Sequence, residues 1–400
     1  MLQRRYHGEL THHRHAVGML SVLAGAGVAN LYYSQPLLGL MARTFDAPPA
    51  RLGTVPMMTQ IGYAIGLLAF VPLADAVDRR KLMTRLLLLT AAALGLAAAA
   101  PSVLWLDGAS LLIGLFTVVP QIALPLAADI AIESDRGHVV GRVMSGLLIG
   151  ILGARTISGL VGNLVGWRAM YELAAAFMAL WAALVFGVIP QPPPANAQAL
   201  SPFRLFASLP RLWREEPVLR SAALTGGGLF AALSTFWTTL TFRLGGPPYH
   251  YPPALIGLFG LAGAASASAA PLAGRLADRR DPRYTVWLGL LGAALAYAGL
   301  WVFSSILLLL ILATLLLDLA TNTAHIANQA RIYRVRADSR ARSNTLYMVV
   351  FFTGGACGSG LGSAAWHWAG WPGAMGSALA WIVLAMVAHR SGRTPGERKE

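Results

Sequence analysis

The chain has 400 residues, 56% of them hydrophobic and 12% charged, with a mean hydropathy of +0.58. Soluble domains carry roughly a quarter of their residues as charges, so this composition excludes a soluble globular domain and marks a polytopic membrane protein. The net charge of +14 raises nucleic acid as a partner, but the loop charges described below account for it without one. The single cysteine, Cys357, excludes an intramolecular disulfide.

Crossing a bilayer takes about 20 apolar residues, and such runs fall at 16–41, 53–74, 84–102, 108–130, 140–163, 170–189, 219–242, 254–274, 284–303, 306–330, 345–365 and 373–389. The first run is too long for a signal-peptide core. It continues into polar YYSQP rather than a small-residue cleavage site, so it reads as a transmembrane helix. Between the sixth and seventh spans lies PQPPPANAQALSPFRLFASLPRLWREEP, proline-rich and then basic-amphipathic, which suits a surface linker. The expected organisation is an all-α membrane protein with a six-helix bundle over 1–189, a cytoplasmic linker over 190–217 and a second six-helix bundle over 218–400.

Lysine and arginine set the orientation. With both termini inside, 26 of the 31 basic residues fall in cytoplasmic segments, and only Arg43, Arg51, Arg168 and Arg243 fall outside. This bias predicts a multi-pass protein of the cytoplasmic membrane with both termini cytoplasmic. The remaining residue, Arg155, lies within the fifth span.

The loop after the second span reads VPLADAVDRRKLM, and the loop after the eighth reads APLAGRLADRRDPR. Both carry PLA followed by DRR, and Asp78 and Asp278 lie half a chain length apart. Two parallel six-helix halves follow from such a repeat, an architecture that in major facilitator transporters, which the chain resembles, places a substrate site between the halves near the midplane. The chain resembles the major facilitator superfamily over nearly its whole length, with PLADAVDRRK similar to that family's loop signature. The resemblance implies a clamp on the cytoplasmic helix ends made by Asp75, Arg79 and Arg80, with Arg275, Asp278, Arg279 and Arg280 as its second copy. The signature is imperfect, with Val71 and Asp78 where glycines are usual and Ala76 where a basic residue is usual. NLYYSQPLL, FTVVPQIALP and RARSNTLYMVVFFTGGACGS resemble the twelve-helix sugar- and drug-efflux permease branch.

The fifth span, GLLIGILGARTISGLVG, places Gly146, Gly150, Ala154, Ser158 and Gly162 on one face. Gly62 and Gly66 in the second span, Gly260, Ala264 and Ser268 in the eighth, and Gly354, Gly358 and Gly362 in the eleventh repeat the device. Small residues at this spacing let helices approach closely in lipid. In the resembled fold these four helices meet across the two halves, so the stripes are expected where the halves rock. Drug antiporters of the family carry glycine-proline in the fifth helix where this chain has Ala154-Arg155.

Asp318 is the acid this reading places deep inside a span. Asn322, His325 and Gln329 lie within about 40° of it on a helix turning 100° per residue, so the four share a face. A carboxylate at a helix centre costs about 2.5–3.5 kcal/mol, so this face is expected to line a cavity or meet a partner. Arg155 and Asp318 each lie 13 residues from an arginine at the cytoplasmic end of their helices, Arg142 and Arg331. At 1.5 Å per residue both sit about 20 Å above that boundary. They are therefore candidates for a pair that forms in one conformational state, with His325 as a further coupling candidate.

The resemblance further implies a central cavity lined by helices 1, 4, 7 and 10. Those helices supply Asn30, Tyr32, Tyr33 and Gln35, with Pro36 as a break; Pro120 and Gln121; Phe236, Trp237, Thr238 and Thr239; and Asn322 and Gln329. Aromatic faces mixed with neutral polar groups suit a small amphipathic substrate.

The expected function is a secondary transporter working by alternating access, a proton-coupled exporter of a drug-like or sugar-like compound. It would act as a monomer in the lipid bilayer with no cofactor beyond the coupling proton. No Walker-type run is present. One alternative is a carrier for an organic anion or sugar, since Arg155 would hold an anion as readily as Asp318 attracts a cation. More remote alternatives are a membrane sensor and an intramembrane enzyme. The sequence has neither H-E-x-x-H nor G-x-S-x-G, and no ligand spacing for a metal accompanies His325.

Overall fold

The computed structural model describes residues 2–131, 135–188, 202–261, 263, 281–333 and 340–392, and the described residues are helices and their connections. Arg275, Asp278, Arg279, Arg280, Ala264, Ser268, the first part of the linker and the side chain of Asp75 lie outside the description.

The first half is built from α1 (Leu2–Ala29), α2 (Leu38–Thr44), α3 (Thr54–Phe70), α4 (Arg79–Ala98), α5 (Val103–Phe116), α6 (Val119–Ile130), α7 (Arg136–Val165) and α8 (Trp167–Val188). A linker helix α9 (Pro202–Glu215) precedes α10 (Pro217–Gly245), α11 (Pro253–Leu258), α12 (Pro282–Phe303), α13 (Leu307–Tyr333) and α14 (Arg340–Ser391). Among the described residues, eight helical stretches are long and apolar enough to span a membrane, one of them the whole of Arg342–Ser391. That stretch holds two expected spans joined at Ala369–Gly370, where Gly370 takes φ +59°. This left-handed conformation suits a residue without Cβ and turns the chain so that Trp371 Nε1 donates to the Leu300 carbonyl at 2.8 Å.

Two expected single helices are broken. The first span leaves helix at Asn30, six residues before the proline at Pro36; turns cover 30–34, and a short 3-10 segment leads into α2. The break therefore precedes Pro36, which begins a new helical segment where a missing N–H does least harm. The fourth span breaks at Thr117–Val118 between α5 and α6, with Pro120 in the first turn of α6.

The apolar core forms two clusters. One is built mainly from α1 to α8, including Leu20, Leu23, Met83 and Met178, and the other lies within the second half, including Phe236, Leu290, Tyr297 and Met375. Between them α3 packs on α14, and α7 packs on α11.

Small-residue stripes account for the packing within each half. A Cβ on Gly150 would run into the backbone of Gly25, and one on Gly146 into that of Ser21, so the stripe of α7 faces α1. Gly354 and Gly358 of α14 meet Gly227 and Ala231 of α10 in the same way, and Gly62 and Gly66 of α3 meet the backbone of α5. The expectation that these three stripes form the rocking surface is therefore corrected: they fix helices inside one half. Spacing by four defines a face without saying which neighbour it meets. The contact across the halves uses other small residues. Gly257 lies against the Arg155 carbonyl and Gly159, Gly260 against Arg155 Cβ, and Gly360 against the Met57 sulfur.

At the arginine-rich end, Asp78 caps α4 by accepting from the backbone N–H groups of Arg80 and Lys81 at 3.0 and 3.2 Å. Arg79 donates to the Ala74 carbonyl and to Asp129 Oδ2 of α6 at 2.6 Å, and Arg80 lies over the Phe186 ring. Arg331, counted above among loop arginines, is buried in α13. It donates to Asn328 Oδ1 at 3.0 Å and meets His389 Nδ1 at 3.1 Å. Because a guanidinium only donates, that nitrogen accepts, which leaves His389 Nε2 to donate to the Arg283 carbonyl at 3.2 Å.

Candidate functional site

Where α7 crosses α11 and α10, the structure gathers a buried charge, two aromatic rings and an amide. The Arg155 side chain leaves α7 beside Gly257 and Gly260, which have no side chains to block it. Its Nε donates to Gln35 Oε1 at 2.6 Å. Its Cζ stands 3.9 Å from the centre of the Trp237 ring and 4.8 Å from that of Tyr32. Arg155 is 6% exposed, so the rings and the amide replace most of its water. A guanidinium is planar and weakly hydrated enough to stack in this way.

Asp318, 7% exposed, lies beside Gly263, three residues along from the Gly260 that meets Arg155 Cβ. The Trp237 indole lies near its carboxylate, and the carboxylate and guanidinium act on each other through space without ion-pair contact. Gly263 approaches Asp318 closely, for a Cβ there would stand 3.2 Å from Oδ2. Arg155, Tyr32 and Gln35 belong to the first half, Trp237 and Asp318 to the second. In this conformation Arg155 is bonded to Gln35 instead of Asp318.

The halves are closed against each other around this point. Thr241 Oγ1 donates to the Gln35 carbonyl at 2.6 Å, and Thr156 Oγ1 to the Gly257 carbonyl at 3.1 Å. Gln35, Pro36, Arg155, Trp237, Leu240, Thr241 and Ile256 line a cavity of about 10 Å³, room for one water at most. All these contacts lie toward the arginine-poor ends of their helices. Nearer the middle, Gln60 of α3 donates weakly to Ser234 and Ser359 at 3.4 and 3.5 Å, and Tyr63 meets Phe352 edge-on at 4.4 Å between ring centres.

The remaining candidates divide. His325 and Gln121 lie away from Arg155: His325 Nδ1 bonds the Tyr347 hydroxyl at 2.9 Å, and Gln121 Nε2 donates to the Tyr63 hydroxyl at 3.3 Å. Asn322, Gln329 and His325 are half-buried along α13 below Asp318. Asn30 turns into its own half, toward the Met178 sulfur at 3.4 Å. Pro120 is buried against Gly27 of α1. Phe236, fully buried, packs on Trp371 inside the second half. Thr238 Oγ1 donates to Ser359 Oγ at 3.2 Å, whereas Thr239 turns back to the Thr235 carbonyl. Tyr33 is buried.

Gln60, Thr241 and Ser359 were not among the sequence candidates. Each is a neutral polar residue in an apolar span, a weak signal whose partner depends on helix rotation. Asp107, one residue before the fourth span, is also buried and is held by Arg51 at 2.9 Å and Thr54 at 2.6 Å.

Comparison with known proteins agrees with this architecture. The sequence model of the Major Facilitator Superfamily matches residues 17–317 and 247–400. The transporter YgaY of Escherichia coli O157:H7 is 41% identical over 369 residues, covering 92% of each chain. The multi-drug resistance efflux pump PmrA of Streptococcus pneumoniae is 30% identical over 140 residues, 34% of this chain and 35% of that one. Among solved structures, a bacterial homolog of the human lysosomal transporter Spinster, inward-facing and unoccupied, aligns with a TM-score of 0.76 at 15% identity, covering 95% of this chain and 96% of that one.

Proposed function

Since the chain belongs to the Major Facilitator Superfamily, whose members are membrane transporters rather than enzymes, we propose that it is a proton-coupled exporter of a small amphipathic compound. It works by alternating access in the cytoplasmic membrane, with both termini inside. The observation that carries this reading is the convergence of Arg155 and Asp318, from opposite halves, on Trp237. A buried carboxylate facing a partner across a moving interface is where a proton changes most between two states, because ionisable groups within the membrane are expensive unless paired. Protonating Asp318 removes the charge that balances Arg155 and loosens the closed arrangement. Reloading follows when the acid faces the cytoplasm. Export is supported by the resemblance to efflux permeases and by the stretch shared with the efflux pump, and the orientation by the arginine bias of the loops.

The test uses the full chain in proteoliposomes. An imposed pH gradient should drive counterflow of amphipathic compounds, read as dissipation of the gradient on adding the compound. Asp318→Asn should lose the dependence on the gradient. Gradient-driven movement that survives intact in Asp318→Asn would remove the acid from the mechanism.

A further inference from the structure

The surroundings of the Arg155 guanidinium are informative in their own right. They consist of the Trp237 face at 3.9 Å, the Tyr32 face at 4.8 Å, Gln35 Oε1 at 2.6 Å and, within electrostatic reach beside Gly263, the Asp318 carboxylate. Each is electron-rich, and with Arg155 set aside the described neighbours hold no other cation. Ring faces with a carboxylate nearby form the arrangement that holds a desolvated organic cation. Arg155 reaches these groups from the opposite half.

We propose that Trp237 and Asp318 form a binding site for an organic cation, with Arg155 as its built-in occupant when the halves are closed. This rests on the reading of the chain as an alternating-access transporter, because only a separation of the halves withdraws Arg155. Once it withdraws, the Trp237 face and the Asp318 carboxylate are left without their cation. A substrate with a quaternary or guanidinium-like head and an apolar body then takes the vacated place. The head replaces the guanidinium, and the body lies along Leu240 and Ile256, which already line the cavity. Among the described residues, the charged and titratable groups facing Asp318 are Arg155 of α7 and Tyr297 of α12. Substrate, Arg155 and proton all act against the one carboxylate, so binding of the cation displaces the proton. That is the relation an exchanger needs. The two terminal nitrogens of Arg155 have no hydrogen-bond partner among the described residues, so an anion would also find donors here; the test separates the two.

The experiment measures equilibrium binding of tetraphenylphosphonium to the purified full-length protein in detergent, with tetraphenylborate, of the same shape and opposite charge, as the control. Arg155→Gln should bind the phosphonium about tenfold more tightly than the parent, a change of 1.4 kcal/mol. Arg155→Met, which keeps the apolar stem, should do the same and serves if the glutamine variant fails to fold. Adding Asp318→Asn should cancel the gain. Tetraphenylborate should gain nothing. Equal gains for both ions would make the site a plain apolar pocket. Loss of tetraphenylborate binding on removing Arg155 would make Arg155 an anion handle. An unchanged phosphonium affinity in both Arg155 variants would also overturn the proposal. Binding requires no gradient, so a failure here leaves proton-coupled transport standing. A protein that binds as expected but moves nothing against a pH gradient would instead overturn the transport reading.

Discussion

The two faces of α7 do different work. One carries Gly146 and Gly150 against the backbone of α1 in its own half; the other carries Arg155 and Gly159 against Gly257 and Gly260 of the opposite half. Both are seams of small residues with backbones in close approach. The first is a bare glycine seam, in which Gly25 and Gly150 lie against each other. The second also contains a guanidinium, two threonine hydroxyls and an amide, each making one specific bond across or beside it. Glycine contact alone gives close packing with no chemical means of release. Hydrogen bonds and a stacked charge can be exchanged for water or substrate, so the second seam can open at modest free-energy cost.

The largest expected effect comes from breaking the first seam. Gly150→Leu drives a side chain into the backbone of Gly25, which cannot move aside as a flexible side chain can. Overpacking of a filled interior costs about 1–3 kcal/mol, and an obstruction by backbone belongs at the upper end. The thermal midpoint in detergent should fall sharply and the monodisperse fraction with it, with or without ligand. A variant as stable as the parent would show that the two helices separate easily and that the seams do not differ.

The two seams were unequally legible in sequence. The twelve spans follow from run length and hydropathy, which depend on no neighbour. Arg155 and Asp318 were visible because a charge in the middle of an apolar run is conspicuous wherever its helix points. Which helix each stripe faces was not visible, because spacing by four fixes an angle on one helix and says nothing of the rotation of the next. The same limit hid the bonds of Gln60, Thr241 and Ser359, whose neutral side chains carry no long-range signal. It also placed Phe236 in the cavity, although its ring, in edge contact with Trp237, packs on Trp371 inside the second half. Arg331 shows the complementary error, since counting loop charges sets orientation without revealing that one of them is buried with His389.

A smaller effect is expected at the second seam. A Cβ on Gly257 would stand 2.5 Å from the Arg155 carbonyl and 3.2 Å from Gly159 Cα. Gly257→Val therefore opposes closure while leaving the interior of each half untouched. The fold should survive and the arginine-poor end should spend more time open. In a Cys357→Ser background, a Thr241→Cys reporter should then react with a membrane-impermeant maleimide about tenfold faster, the change that 1.4 kcal/mol of bias gives. Collapse of the protein instead, as in Gly150→Leu, would place both seams in the same rigid class.

The smallest effect tests whether single bonds hold the second seam. Thr241→Val keeps the shape of the side chain and deletes the 2.6 Å bond to the Gln35 carbonyl. A net hydrogen bond contributes about 0.5–1.5 kcal/mol, and the loss falls on the closed state alone, since water reaches the carbonyl once the halves part. The Thr241→Val protein should therefore open severalfold more often, read as faster maleimide labelling of an Ile256→Cys reporter, while its thermal midpoint moves by a degree or two at most. Gln35 is held on its other side by Arg155, so the same substitution in an Arg155→Gln background should have a larger effect than in the parent, the two bonds sharing one residue. Strict additivity would mean that Gln35 does not couple the hydroxyl to the guanidinium, and that the second seam is held by its glycines after all.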